Sequence, residues 1–166
     1  YEGAGVPFNL TGVSMEEKDG EPMENHATGY GVVVAARAAC EFAVIDIAGD
    51  SVAVEGVGKA GGGVVCYLHG AGAKVVAISS IEGTLYDPQG LDVPGLLESR
   101  RTMGDDALQA YGKQKLLPRE DLFTLPVDVL VPGARPYVID EGNAESVRAR
   151  VIASIANIPI TDAAEN

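Results

Sequence analysis

Small and apolar residues dominate from Ala27 through Ile45, and Val33, Ala36, Cys40 and Val44 recur at the spacing of one helical face. That pattern predicts a helix over 27–45 with those four residues buried, followed by a turn at Gly49-Asp50. Ser51 to Glu55 is an apolar run of the kind found in parallel strands buried on both faces. A helix then runs from Gly58 to His69, closes at Gly70-Ala-Gly72, and gives way to a second apolar strand from Lys74 to Ser79. A strand–helix–strand unit of roughly thirty residues implies a right-handed crossover with both strands parallel in one sheet. Downstream, Asp92 to Tyr111 reads as a helix broken at Gly104, and Val127 to Pro132 as a short buried strand stopped by proline. Asn143 to Arg150 reads as a further helix and Val151 to Ala156 as a last strand. Residues 1–25 are rich in glycine and charge, Met15-Glu-Glu-Lys-Asp-Gly-Glu-Pro-Met-Glu among them has neither helical nor strand periodicity, and the segment is expected to form an exposed lead-in to one domain over 26–166.

Alternating strands and helices predict an α/β fold: a Rossmann-like, doubly wound, mostly parallel sheet with helices on both faces and a ligand crevice at the strand carboxyl ends. Gly56, Ser79-Ser80, Pro132-Gly133 and Ala156-Asn157 all fall at such ends. Gly56, Val57, Gly58, Lys59, Ala60 and Gly61 spell G-x-G-x-x-G between the first strand and its helix. In a dinucleotide-binding turn the first glycine allows the tight exit from the strand, the second admits a pyrophosphate, and the third lets helix and strand pack closely. The phosphates then meet unpaired N–H groups at the helix N-terminus. Sites selective for NAD place an acidic residue about twenty residues past the glycines, where it accepts from the ribose 2′-OH and repels a 2′-phosphate. Here that position is Ser80, beside Ser79, and with Lys59 in the turn this tilts the expectation from NAD slightly toward NADP. Glu82, two residues on, is a carboxylate that could take the acidic role instead.

The chain of 166 residues, 46% hydrophobic, suits one core. Its 24 acidic against 12 basic side chains give a net charge of −12, which repels nucleic acid and anionic membrane surfaces at long range. No run approaches the ~18 apolar residues of a membrane span. The first residues lack a signal-peptide pattern, so a cytoplasmic location is expected. Cys40 and Cys66 sit in apolar helical runs without C-x-x-C spacing, and His26 and His69 stand alone, so they read as reduced core cysteines and no metal site is predicted. His69 stands where it can interact with the C-terminal dipole of its helix.

Five stretches in order resemble the glutamate/leucine/phenylalanine/valine dehydrogenase family from about Val6 onward. They are Ala27-Thr-Gly-Tyr-Gly-Val, Val52-Ala-Val-Glu-Gly-Val-Gly, Leu85-Tyr-Asp-Pro-Gln-Gly-Leu-Asp, Asp121-Leu-Phe-Thr-Leu-Pro-Val-Asp-Val-Leu-Val-Pro-Gly-Ala and Ala156-Asn-Ile-Pro-Ile-Thr. The resemblance implies the cofactor domain of an enzyme that oxidatively deaminates an L-amino acid to a 2-oxo acid and ammonia, passing hydride to NAD or NADP. It also implies that Thr28 and Asn157 lie near the nicotinamide carboxamide, although Thr28 could instead cap a helix and Asn157 close a strand turn. Asp128 reads as structural rather than as a catalytic acid. The family's substrate domain, with its catalytic lysine and aspartate, precedes this region. None of Lys18, Lys59, Lys74, Lys113 and Lys115 has a catalytic context, so no catalytic residue is assigned and these 166 residues alone are expected to be inactive. Glu24 stands where the family has an arginine, and the stretch from Ser14 to Thr28 is longer than usual. The expected partners are the dinucleotide and a separate substrate domain or further copies of the chain. Two other readings remain, a stand-alone dinucleotide-sensing module without catalysis and a remnant whose glycines serve only packing.

Overall fold

A computed structural model describes residues 17–18, 21–111 and 116–165. Most of the predicted lead-in, together with Lys113 and Lys115, lies outside them. Two short strands, β1 (Glu17–Lys18) and β2 (Glu21–Pro22), pair antiparallel and lead directly into helix α1 (Met23–Phe42). The expected loop over residues 15–24 is therefore corrected: it contains this strand pair and the first turn of α1. Next come β3 (Ser51–Glu55), α2 (Lys59–Gly70), β4 (Lys74–Ser80), β5 (Gly83–Tyr86), α3 (Val93–Met103) and α4 (Ala107–Tyr111). A 3₁₀ helix over Arg119–Thr124, β6 (Val129–Val131) and β7 (Val151–Ile152) complete the described chain.

Five strands form one sheet in the order β5-β4-β3-β6-β7. β3 lies between β4 and β6 and is parallel to both, β6 is parallel to β7, and only β5 runs antiparallel, folded back on β4. The chain leaves β3 toward one edge and returns on its other side through β6, so the strand order reverses between β3 and β6. In open α/β sheets that reversal opens a crevice beyond the strand carboxyl ends. On one face, Val52, Val54, Val129 and Val131 meet Val33, Ala36 and Cys40 of α1, Val64, Val65 and Leu68 of α2, and Val93 and Leu96 of α3. On the other, Ala53, Ala77 and Leu130 meet Leu122 and Phe123 of the 3₁₀ helix together with Val138 and Ile139. Burying each large apolar side chain contributes about 1.5–3 kcal/mol, and β3 buries both faces, which explains its unbroken apolar reading.

The break at Gly104 is real: α3 stops there at a φ of +63°, after starting at Asp92, whose carboxylate accepts the Gly95 N–H. Three expectations are corrected. Val44 is not on the buried face of α1 but 88% exposed, because the helix ends at Phe42. There Val44 N–H donates to the Glu41 carbonyl and Ile45 N–H to that of Cys40, a Schellman closure that holds Val44 at a φ of +58°. The helix expected over 143–150 is only a 3₁₀ turn at Ala144–Ser146. Beyond it Val147 and Ala149, two residues apart, pack on the second core as an extended segment does. The last strand is shorter than expected, ending at Ile152, after which loop bonds to β6 take over. Cys40 is buried and Cys66 partly so, both as free thiols, and burial followed by Asp50 and Asp128 raises the pKa of Cys40, which keeps it protonated. Among the described residues no helix is long and apolar enough to cross a membrane.

At the amino ends of the strands, Asp128 joins β6 to β3 by accepting from Ser51 N–H at 2.9 Å and Ser51 Oγ at 2.6 Å. The Ser51 hydroxyl lowers the Asp128 pKa against the opposing effect of burial, whereas burial and then Asp128 itself raise that of Asp50. A carboxylate whose pKa is lowered on folding adds stability above its unfolded value, and that stability is lost as pH falls through the folded value. Asp128→Ala is expected to cost about 1 kcal/mol at pH 7, since hydrogen bonds to a charge are worth about 1.5–3 and relief of Asp50 offsets part. Chemical denaturation should show the gap between variant and wild type closing below about pH 4; a gap constant down to pH 3 would contradict this.

Candidate functional site

The crevice at the β3/β6 reversal is built from the turn that leaves β3. Gly56 has a φ of +90°, which an L side chain rarely adopts, and its N–H donates to the Ser79 carbonyl across to β4. Val57, 5% exposed, inserts into the first core and pins the turn. A Cβ at Gly61 would overlap the Gly56 carbonyl oxygen, so the first turn of α2 lies directly on the end of β3. At Gly58 a Cβ would meet nothing within 4 Å. Gly58 is the N-cap of α2, without a side-chain cap, and the first turn of that helix carries no acidic residue. The first helical N–H groups, those of Lys59, Ala60 and Gly61, precede any intrahelical acceptor. The residues at this turn fit a phosphate-bearing group: space at Gly58, uncapped donors, and the favourable end of the helix dipole.

The other predicted residues lie on α1, on β4 and in the segment after β7. Thr28 is exposed inside α1 and does not cap it, because the helix starts at Met23. Its neighbour Gly29 packs so tightly on α2 that a Cβ would come within 2.5 Å of the Gly63 carbonyl carbon, which brings this part of α1 beside the glycine turn. Asn157 is exposed just past a loop fastened to β6, where Ile155 N–H donates to the Pro132 carbonyl at 2.9 Å. Ser80, half-buried at the end of β4, accepts the Glu82 N–H at 3.1 Å, while the Glu82 carboxylate accepts from Gln109 of α4. Ser79 is fully buried, and the strand alternation puts it on the opposite side of β4 from Ile78 and Ser80.

Four residues went unmarked as site residues in the sequence. Arg100, on α3, reaches the first turn of α2, where its Nη1 would stand 2.8 Å from a Cβ on Gly62. Glu55, the last residue of β3, is fully buried and accepts from the N–H groups of Gly133 and Ala134 at 3.2 and 3.1 Å. Arg135 Nε donates to Glu55 at 3.0 Å, and Arg119 lies 3.5 Å from the same carboxylate. Arg135 also bridges to Glu120; burial opposes its charge, but the hydrogen bonds it donates to Glu120 and Glu55 prevail and raise its pKa. A carboxylate ending an apolar run was the one visible signal. Among the described residues no group of three or more His, Cys, Asp or Glu side chains could hold a metal ion.

The profile of the Glutamate/Leucine/Phenylalanine/Valine dehydrogenase family matches residues 20–166, and the chain belongs to that family. The matched region begins later than the resemblance from Val6 implied. Glutamate dehydrogenase of Aeropyrum pernix is 40% identical over 139 residues, covering 84% of this chain and 33% of that protein. A cryptic catabolic NAD-specific glutamate dehydrogenase of Bacillus subtilis is 39% identical over 135 residues, covering 81% of this chain and 31% of its own length. Among solved structures, a hetero-hexameric glutamate dehydrogenase from Thermus thermophilus superposes with a TM-score of 0.75 at 30% identity, covering 89% of this chain and 33% of that one. The chain thus spans about a third of the length of the relatives it matches.

The two glycines separate packing from binding. Gly61→Ala is expected to lower the melting temperature sharply, because backbone must move to admit the methyl group. Gly58→Val, projecting into open space, should leave melting temperature and circular dichroism close to native. Equal stability losses in the two variants would refute this division.

Proposed function

We propose that this chain is the Rossmann-type NAD(P)-binding domain, over residues 26–166, of an amino-acid dehydrogenase that converts an L-amino acid to a 2-oxo acid and ammonia. The observation that carries the proposal is the turn Gly56–Gly61, open at Gly58 and closed at Gly61, at the point where the strand order reverses. The nicotinamide, when bound, supplies the hydride chemistry, and the protein supplies binding and orientation. N–H groups of Lys59, Ala60 and Gly61 hold the pyrophosphate, the adenosine ribose lies toward Ser80, and Thr28 and Asn157 face the carboxamide. The amino-acid substrate is bound and turned over with a separate substrate domain, in an oligomer of the kind that the Thermus relative's hexamer exemplifies. Two free cysteines suit the reducing cytoplasm.

The cofactor is NAD or NADP, with a slight preference for NADP. Ser80 stands where a carboxylate would select NAD, and the Arg100 guanidinium lies against the first turn of α2 at Gly62, a cation suited to a phosphate. The Glu82 carboxylate and the NAD-specific names of several relatives argue the other way. Calorimetric titration of NADH and NADPH tests the reading at both levels. Wild type should bind both, NADPH at least as tightly, and Gly58→Val should bind neither while remaining folded. Undiminished affinity in folded Gly58→Val removes the pyrophosphate assignment. A preference for NADH that vanishes in Glu82→Gln would move the selector from Ser80 to Glu82.

Turnover provides a second test. Positioned acid–base groups commonly contribute about 10²–10⁴ in rate. The 166-residue chain assayed alone with glutamate, leucine, phenylalanine or valine should therefore reduce no cofactor above blank. Steady turnover that survives repurification would show that catalytic groups lie within these residues.

A further inference from the structure

We infer that Glu55 is a positioning residue for the nicotinamide half of the cofactor, acting through the loop Gly133–Arg135 that its buried carboxylate holds in place. The inference rests on the dinucleotide-binding reading above and goes beyond it, because that reading gives Glu55 no role. Its side chain is fully buried at the end of β3, one residue before the glycine turn. A buried carboxylate is costly unless hydrogen-bonded and paired, and here four donors converge on it. Two are backbone N–H groups of the loop that follows β6, Gly133 and Ala134. The other two are guanidinium groups, Arg135 from the same loop and Arg119 from the 3₁₀ helix.

The geometry reserves this place for the loop. A Cβ at Gly133 would stand 2.6 Å from the Glu55 carbonyl oxygen, so only glycine lets the loop come close enough for its N–H groups to reach the carboxylate. Ala134, thus held, lies against Gly56, whose added Cβ would be 3.2 Å from the Ala134 Cβ. Glu55 therefore joins the two sides of the crevice, the glycine turn from β3 and the loop from β6. In a doubly wound sheet the two mononucleotide halves of the cofactor lie on opposite sides of this reversal. With the adenosine half toward β4, the β6 loop underlies the nicotinamide half. Glu120, Arg135, Glu55 and Arg119 alternate in sign and sum to zero charge, so the network fixes position without adding a net field at the phosphates.

The test compares NADH with ADP-ribose, which keeps the adenosine and pyrophosphate but lacks nicotinamide, by calorimetry on the 166-residue chain. Hydrogen bonds to a buried charge are worth enough that Glu55→Gln should weaken NADH about tenfold or more. ADP-ribose should change less than about twofold, because its contacts lie at α2 and β4. Equal losses for both ligands would reduce Glu55 to a structural role, and unchanged affinity for both would overturn the proposal outright. Wild type binding neither ligand would overturn the dinucleotide reading itself, and this inference with it. If Glu55→Gln does not fold, Arg135→Met decides, because it withdraws the nearest guanidinium from a partly exposed position while the loop N–H groups remain bound. NADH-selective weakening supports the proposal and equal weakening refutes it. Where Glu55→Gln does fold, adding Arg135→Met should restore part of the NADH affinity by removing the cation that has lost its buried partner, and no recovery would count against the charge-pairing argument.

Discussion

The whole arrangement depends on backbone meeting backbone where α2 leaves the sheet. At Gly61 the helix rests on the Gly56 carbonyl so closely that no side chain fits between them. At Gly29 and Gly63 the two long helices touch in the same way. These contacts place the N-terminus of α2 at the end of β3, rather than one side-chain diameter above it. The space that a ligand could use at Gly58 is a consequence, since the same close seating sets the first N–H groups of the helix at the end of β3. Valines 64 and 65 and Leu68, all fully buried, then hold the helix there.

Polar groups sheltered from solvent lie at both ends of the sheet, part-buried at one and fully buried at the other, and each set joins β3 to the loops bordering β6. At the amino end, Asp128 accepts the N–H and hydroxyl of Ser51. At the carboxyl end, Glu55 accepts two N–H groups and faces two guanidinium groups. Apolar contacts alone hold parallel neighbours together but tolerate sliding, whereas a directional bond to a buried charge has one register. Fastening β3 and β6 at both ends fixes how the connections leaving them are set, and the crevice opens where those connections diverge.

How much of this was legible in the sequence follows from the range of the interactions. β3 and α2 were readable almost to the residue, because an unbroken apolar run bounded by glycines reports local structure directly. β5 was missed: Gly83-Thr-Leu-Tyr is short, and its antiparallel return depends on a φ of +142° at Gly83 and on Thr84 pairing with Leu117. The segment 143–150 was misread although Val147-Arg-Ala-Arg-Val151 alternates as a strand does, since charged residues there mimicked an exposed helix. Ser79 and Ser80 were indistinguishable in sequence, and only the pleat of β4 sends one inward. The Glu55 network was illegible beyond Glu55 itself, because Arg119 and Arg135 lie 64 and 80 residues away along the chain.

The acidic character of the chain and an anionic ligand are compatible for a reason of distance. A net charge of −12 acts through solvent, where it is screened over about 8–10 Å at physiological ionic strength. The first turn of α2 acts at hydrogen-bond range, with no carboxylate in that turn and the Arg100 guanidinium against it. Carboxylates in the neighbourhood are already engaged: Glu55 by Arg135 and Arg119, Glu120 by Arg135, and Glu82 by Gln109. For a cofactor bound as proposed, excess negative charge would therefore slow approach more than it would weaken the hold, since the long-range field governs encounter and the local donors govern residence. Raising the ionic strength would separate the two, because screening weakens the distant repulsion well before it weakens contacts at hydrogen-bond range.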